Sequence, residues 1–236
     1  MKYSSPLQRV TLIKRYKRFL GDVILADGSE ITVHTPNTGS MLGCAEPGSY
    51  VWIRDTASET RKYRYSWELS ELASGGLVGV NTGLANQLVV EAIRDGVVAS
   101  LSGYAALRTE VPYGQERSRI DILLESADLP PCYVEVKNVT ARRGDLAIFP
   151  DAVTARGTKH LRELMQVVKE GGRGVIFFCV QREDVAGFRP AHEIDPVYAA
   201  TLKQAIAAGV EALAWAARLT PEAVVLRQPL SIQLEW

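Results

Sequence analysis

Asp121, Glu135 and Lys137 are the residues whose types and spacing most suggest chemistry in this chain. They lie in two short apolar runs, Ser118-Arg119-Ile120-Asp121-Ile122-Leu123-Leu124 and Cys132-Tyr133-Val134-Glu135-Val136-Lys137, which read as two strands joined by a turn. Residues two apart on a strand share a face. Glu135 and Lys137 therefore point the same way as Tyr133, and Asp121 points away from Ile120, Ile122 and Leu124. A hairpin symmetric about Asp128 sets Asp121 across from Glu135, with side chains about 5 Å apart. Two adjacent carboxylates repel unless a proton or a cation sits between them. Magnesium, or manganese in its place, suits such a pair because both prefer hard oxygen ligands. Lys137 would then hold a water or offset charge on a phosphate. The plain alternative is a solvent-facing hairpin with an ordinary Glu–Lys pair.

Composition sets the frame. The chain has 236 residues and zero formal net charge, enough for one large domain or two small ones. No apolar run approaches the roughly 20 residues of a membrane span, and the first residues lack the apolar stretch of a signal peptide. Cys44, Cys132 and Cys179 show no metal-ligand spacing. They read as buried small hydrophobes in a reduced, cytoplasmic setting, with no membrane partner. Zero net charge argues mildly against tight nucleic-acid binding, but the distribution is uneven. Residues 1–21 carry Lys2, Arg9, Lys14, Arg15, Lys17 and Arg18 and no acid, and Arg61, Lys62 and Arg64 alternate with Tyr63 and Tyr65 before Trp67. Basic side chains interleaved with aromatics suit a surface that tracks phosphates and stacks bases. A charged strand edge is the bland reading.

The elements that must position these residues divide near 73–83, where Ala73-Ser74-Gly75-Gly76 and Asn81-Thr82-Gly83 are turn chemistry. Before the division, Arg9–Tyr16, Phe19–Leu25, Ile31–Thr35, Tyr50–Asp55 and Tyr63–Leu72 read as five strands, with Ala26-Asp27-Gly28-Ser29 as a hairpin turn. Five short strands fit an OB-like β-barrel over residues 1–80. After it, Leu84, Leu88, Ala92 and Ile93 recur at helical spacing. Tyr104–Val111, Arg119–Glu125 and Cys132–Asn138 read as strands, and Lys159–Glu170 as a helix. Gly174–Gln181 has the continuous apolar character of a buried strand. Pro196–Ala217 reads as a final helix. The expected class is α/β (α+β): a five-stranded OB-like β-barrel, then an αβββαβ domain over residues 81–236.

An Asp, a turn and Glu-x-Lys, on a helix–three strands–helix–strand order, resemble the PD-(D/E)xK nuclease superfamily. The chain also closely resembles the sugar fermentation stimulation protein family over nearly its whole length. The marks are Arg15-Tyr16-Lys17-Arg18-Phe19-Leu20, Pro36-Asn37-Thr38-Gly39-Ser40-Met41, Val80-Asn81-Thr82 and Tyr113-Gly114 with Ser118-Arg119-Ile120-Asp121. Further marks are Tyr133-Val134-Glu135-Val136-Lys137-Asn138-Val139-Thr140, Phe149-Pro150-Asp151-Ala152-Val153-Thr154 and Lys159-His160-Leu161.

That resemblance implies an N-terminal OB-type domain, a nuclease-like second domain and DNA binding without marked sequence preference. The superfamily pattern implies Asp121 and Glu135 as direct metal ligands, and its resolvase-like branch implies Glu91 as a third acid acting through water. Lys137 would position the attacking water. Lys14, Arg15, Lys17, Arg18, Arg61, Lys62, Arg64, Arg142 and Lys159 are the expected contacts to nucleic acid. His160, near a helix start, reads as a cap or surface residue before it reads as a catalyst. The two competing readings are a magnesium-dependent endonuclease acting on DNA, or RNA, and a non-catalytic DNA-binding regulatory protein linked to sugar metabolism. A small-molecule enzyme of sugar metabolism is disfavoured because no nucleotide-binding glycine motif is present. A homodimer through the final helix accords with the resolvase-like resemblance.

Overall fold

The computed structural model describes residues 1–114 and 118–235. Five strands, β1 (Leu7–Tyr16), β2 (Leu20–Ile24), β3 (Glu30–His34), β4 (Tyr50–Asp55) and β5 (Tyr65–Glu71), form the N-terminal unit. β1 pairs with both β2 and β4, β4 with β5, and a parallel β3–β5 pairing closes the ring. Closure removes the exposed edges an open sheet would leave, and the result is the expected OB-like barrel. Alternate residues fill it: Val10 and Leu12 from β1, Val51 and Ile53 from β4, and Trp67 from β5 are all buried. The β1–β2 connection, Lys17-Arg18-Phe19, is a three-residue turn in which Lys17 and Arg18 take φ of 48° and 66°.

β6 (Leu77–Gly79) turns back to pair antiparallel with β5 and leads through a 3-10 turn into α1 (Ala85–Arg94). The second unit is a mixed sheet of β7 (Ala106–Tyr113), β8 (Ser118–Ser126), β9 (Leu129–Val139), β12 (Arg173–Val180), β14 (Glu211–Leu219) and β15 (Val224–Pro229). Between β9 and β12 come β10 (Ala141–Arg143), β11 (Leu146–Phe149) and α2 (Ala155–Lys169). Further on lie β13 (Gly187–Pro190), α3 (Pro196–Ala207) and β16 (Ser231–Ile232); β10, β11, β13 and β16 make a small second sheet. One face of the large sheet packs on α1 through Ile122, Leu124, Val134, Phe177 and Leu88. The other packs on α2 and α3 through Ile120, Leu123, Ile176, Phe178, Leu161 and Leu202. No helix among the described residues is long and apolar enough to cross a membrane.

The final helix differs from expectation. It ends at Ala207, Gly209 takes a φ of 99°, and Glu211–Leu219 is a strand parallel to β12. Its sequence, EALAWAARL, is rich in good helix formers, yet the left-handed glycine stops the helix and the sheet takes up the residues beyond it. The small second sheet was not legible from periodicity, because its strands are only two to four residues long.

Several hydrogen bonds join the two units. Ser40 donates its backbone N–H to Asp151 at 2.8 Å. Asn81 donates to the buried Glu68 at 2.6 Å, Gly79 N–H to the Gln181 carbonyl at 2.8 Å, and Thr82 to the Pro36 carbonyl at 2.6 Å.

Candidate active site

The hairpin register places Ile122 opposite Val134 and Leu123 opposite Tyr133, so its continuation sets Asp121 beside Glu135, as symmetry about Asp128 requires. The expected single face of Ile120, Ile122 and Leu124 does not hold. Ile120 and Leu123 enter the α2-side core, while Ile122 and Leu124 enter the α1-side core, so the alternation slips at Asp121. Across the ladder Glu110 has a φ of 55°, and β7 and β8 pair on either side of Glu110 and Asp121 without pairing there. The local break frees Asp121 to bond elsewhere. Its Oδ2 accepts the Val136 N–H at 2.7 Å and its Oδ1 accepts from Asn86 of α1 at 2.9 Å.

Glu135 is 2% exposed and faces α2. Its Oε1 accepts from Lys137 at 2.7 Å and meets His160 Nδ1 in a short contact. Arg156, one turn earlier on α2, donates Nε–H to His160 Nε2 at 3.4 Å. A ring nitrogen that accepts leaves the proton on the other, so Nδ1 donates to Glu135, and the 3.3 Å approach of Lys137 to Nδ1 is between two donors that share one acceptor. The other oxygen, Oε2, is buried and has no hydrogen-bond partner among the described residues. Tyr113 Oη, Tyr198 Oη and Ser118 Oγ are orphaned in the same way. Both tyrosines feel the charge of Glu135, and Ser118 pairs with Tyr113 across the ladder.

The two carboxylates differ electrically. Burial pushes Asp121 up and the charge of Glu135 adds to it; the Val136 N–H, Asn86 and Lys137 pull back without cancelling the rise. Burial also pushes Glu135 up, but the His160 hydrogen bond and the charge of Lys137 outweigh it, so its carboxyl sits below the ordinary range. Two neighbouring acids with pKa values moved apart by their surroundings are a recurrent mark of functional sites. No cluster of three or more His, Cys, Asp or Glu fit to hold a metal occurs among the described residues. A magnesium site does not require one, since that ion commonly uses one or two carboxylates, keeps waters and takes substrate phosphates. An orphaned, buried carboxylate oxygen next to a second acid fits such an ion.

The other expected site residues fall into three groups. Glu91 lines a cavity of ≈560 Å³ together with Asn86 and Glu110, but its carboxylate pairs with the Met1 amino group at 2.5 Å. Asn86 is the α1 residue that reaches Asp121. Arg15 is a clamp: its guanidinium donates to the carbonyls of Asn37 and Gly39 at 2.9 Å each, of Ser40 at 3.3 Å, and of Arg18. Arg18 donates twice to the Thr38 carbonyl, Arg64 is held by Asp55 at 2.6 Å, and Arg142 pairs with Asp184 at 3.1 Å. Lys14 is exposed and only 3.6 Å from Asp22, Lys17 is exposed in the turn, and Lys159 lies in the first turns of α2. Arg61 and Lys62 form no ion pair among the described residues and line a cavity of ≈570 Å³ between the barrel and α1, with His34, Arg54 and Gln87. Sequence reasoning passed over Asn86 and Glu163. The signal was the spacing of Arg156, His160 and Glu163 along one side of α2, where His160 and Glu163 are buried polar residues among apolar ones.

Comparison with known proteins is decisive on kinship. The description "SfsA N-terminal OB domain" matches residues 13–80, and "Sugar fermentation stimulation protein RE domain" matches residues 83–223. The chain belongs to the sugar fermentation stimulation protein family. It is 54% identical to the family's homologues from Paramagnetospirillum magneticum and Geobacter metallireducens, over 99% of this chain and 98% and 100% of theirs. Among solved structures it is similar to Pyrococcus furiosus SfsA in complex with Ca2+, with a TM-score of 0.87 and 28% identity, covering 99% of this chain and 98% of that one.

Proposed function

We propose that this member of the family binds nucleic acid, DNA foremost, and carries a magnesium-dependent phosphodiesterase centre of weak sequence specificity at Asp121, Glu135 and Lys137. The observation that carries the reading is the buried Glu135 carboxylate, with Lys137 on one oxygen and no partner among the described residues on the other, beside Asp121. Asp121 and Glu135 would hold the divalent cation; the solved relative binds Ca2+, another hard cation. When bound, the ion lowers the pKa of a water and polarises the phosphoryl oxygen. Lys137 supplies positive charge where the transition state concentrates negative charge. His160 fixes the Glu135 carboxylate and Arg156 fixes the His160 tautomer. Arg61 and Lys62 line a path from the barrel toward α1, which carries Asn86. The three free, buried cysteines accord with a reduced cytoplasmic location.

The competing reading, a DNA-binding regulator without catalysis, draws on the pairing of Lys137 with Glu135 in place of a free ammonium. The two are separated by incubating purified protein with magnesium and single-stranded, duplex, flapped and junction DNA, and the corresponding RNAs. Magnesium-dependent cutting that is lost in Glu135→Gln supports the enzyme; binding without cutting of any substrate supports the regulator.

A further inference from the structure

A cavity of ≈300 Å³ opens where the barrel meets the carboxyl end of β9. Asn138 and Thr140 line it just beyond Lys137, Thr38 faces them from the barrel loop, and Phe149 and Val153 bound it on the side leading to α2. Several observations define what it takes. Thr140 is 7% exposed, and its hydroxyl makes no hydrogen bond among the described residues, although its carbonyl accepts from Arg182 at 2.6 Å. Asn138 bonds to Gln181 through its oxygen alone, which leaves its amide N–H groups for the cavity. Arg18 and Asp151 both line the space, so its charge is balanced and a bare phosphate gains little there. Val153, on the rim, is 77% exposed, the most exposed of the large apolar side chains described.

A neutral group with donors and acceptors on its edge and an apolar face fits this lining. The volume lies at the lower end of ligand pockets, room for one base with its sugar and too little for a base pair. The place matters as much as the shape, because the cavity is also lined by Val139, which lies two residues beyond Lys137 on β9 and shares its face of the sheet. We propose that this cavity receives a single nucleotide extruded from the nucleic-acid stack, with Val153 as the apolar wedge that fills the gap it leaves. The inference rests on the nucleic-acid reading above and names its substrate class: strands with an unpaired or weakly paired base next to the phosphate under attack. Such bases cost least to extrude, and apolar wedges between base steps are a known device for holding a stack open.

The test uses the full chain, calcium in place of magnesium, and end-labelled duplexes carrying 2-aminopurine either mismatched or paired, with gels to show the DNA uncut. Anisotropy reads binding and 2-aminopurine emission reads extrusion. Wild type should bind the mismatched duplex about tenfold or more tightly than the paired one, as each 1.4 kcal/mol of unstacking avoided is worth a factor of ten. Emission should rise several-fold. Thr140→Val, which keeps the shape and removes the hydroxyl, and Val153→Gly should each lose most of that rise while still binding duplex. Binding without a rise in emission, or a rise that survives in both variants, overturns the extrusion proposal and leaves the nucleic-acid reading standing. Absence of any anisotropy change overturns both.

Discussion

Asp121 Oδ2 accepts the backbone N–H of Val136 at 2.7 Å while its Oδ1 accepts from Asn86 at 2.9 Å. One carboxylate thus ties β9 to α1 and stands beside Glu135, the acid with an unshared buried oxygen. The position serves both folding and the site, which decides how it should be tested. Removing the side chain leaves a buried N–H without an acceptor, at a cost of about 1–3 kcal/mol. Replacing it by an amide removes the charge and keeps an acceptor for the Val136 N–H, while its new NH2 group faces Asn86, whose own amide can turn to present its oxygen.

The first prediction therefore uses Asp121→Asn and Glu135→Gln. Titration calorimetry with manganese should find one site in wild type and affinities lowered by about tenfold to a hundredfold in either variant, the scale seen even for residues one step removed from a metal. Thermal melts should show both variants folded. If wild type and both variants bind manganese equally, the cation does not sit between these acids.

A second prediction separates structural from ligand-facing arginines and lysines in the basic N-terminal segment. Arg15 holds four carbonyls of the loop and turn around it, so Arg15→Ala should lower stability by about 1–3 kcal/mol through those unpaired groups. Lys14→Ala with Lys17→Ala should leave the melting temperature unchanged and flatten the salt dependence of DNA binding, by about 0.7–0.9 in log–log slope per lost phosphate contact. An unaltered slope in the lysine variant would remove this edge of the barrel from the interface.

Much of this was legible in the sequence, for identifiable reasons. The barrel strands follow from alternation punctuated by turns such as Ala26-Asp27-Gly28-Ser29, where Gly28 has a φ of 85°. The Asp121–Glu135 register follows from hairpin symmetry, because no residue is inserted between Asp121 and the turn on one strand without a match on the other until Leu124. Other features were hidden. Alanine-rich Glu211–Leu219 has helical propensity, and only its place beside β12 makes it a strand. Glu91 and Asn86 line one cavity, and helical spacing cannot say which of them reaches across to β8. Counting basic residues cannot tell Arg15, spent on carbonyls, from Lys17, which faces water.

The third prediction concerns acid stability. Arg189 first, then Arg143, holds Glu193 down to about 2 from an ordinary 4.5. A depressed carboxylate stabilises the fold above its unfolded pKa, and that contribution disappears as pH falls through the folded value. Glu193→Gln should thus be less stable than wild type at pH 7, by roughly 0.5–1 kcal/mol for a largely solvent-facing network. The difference should shrink between about pH 4.5 and pH 2. Denaturant midpoints measured across that window check it; a constant gap between the two proteins would mean that the arginines do not act on Glu193.

The last prediction separates enzyme from binder at Lys137. Its ammonium contacts Glu135 Oε1 at 2.7 Å and has 12% of its side chain exposed, so it reaches the site without being a metal ligand. If its charge acts on the transition state, Lys137→Ala should leave DNA affinity nearly unchanged and lower magnesium-dependent cleavage by about a hundredfold or more, the usual loss when a charge-stabilising donor is deleted. Glu135 would lose one partner but keep His160, so the fold should persist, and circular dichroism at the assay temperature verifies this. Lys137→Arg keeps the charge but changes its reach, because a planar guanidinium does not superimpose on an ammonium; partial recovery of rate there would tie the effect to charge rather than to packing. Equal cutting by wild type and Lys137→Ala, on a substrate the wild type cuts, would remove Lys137 from the chemistry. Failure of the wild type to cut any substrate in the panel would leave the regulatory reading in its place.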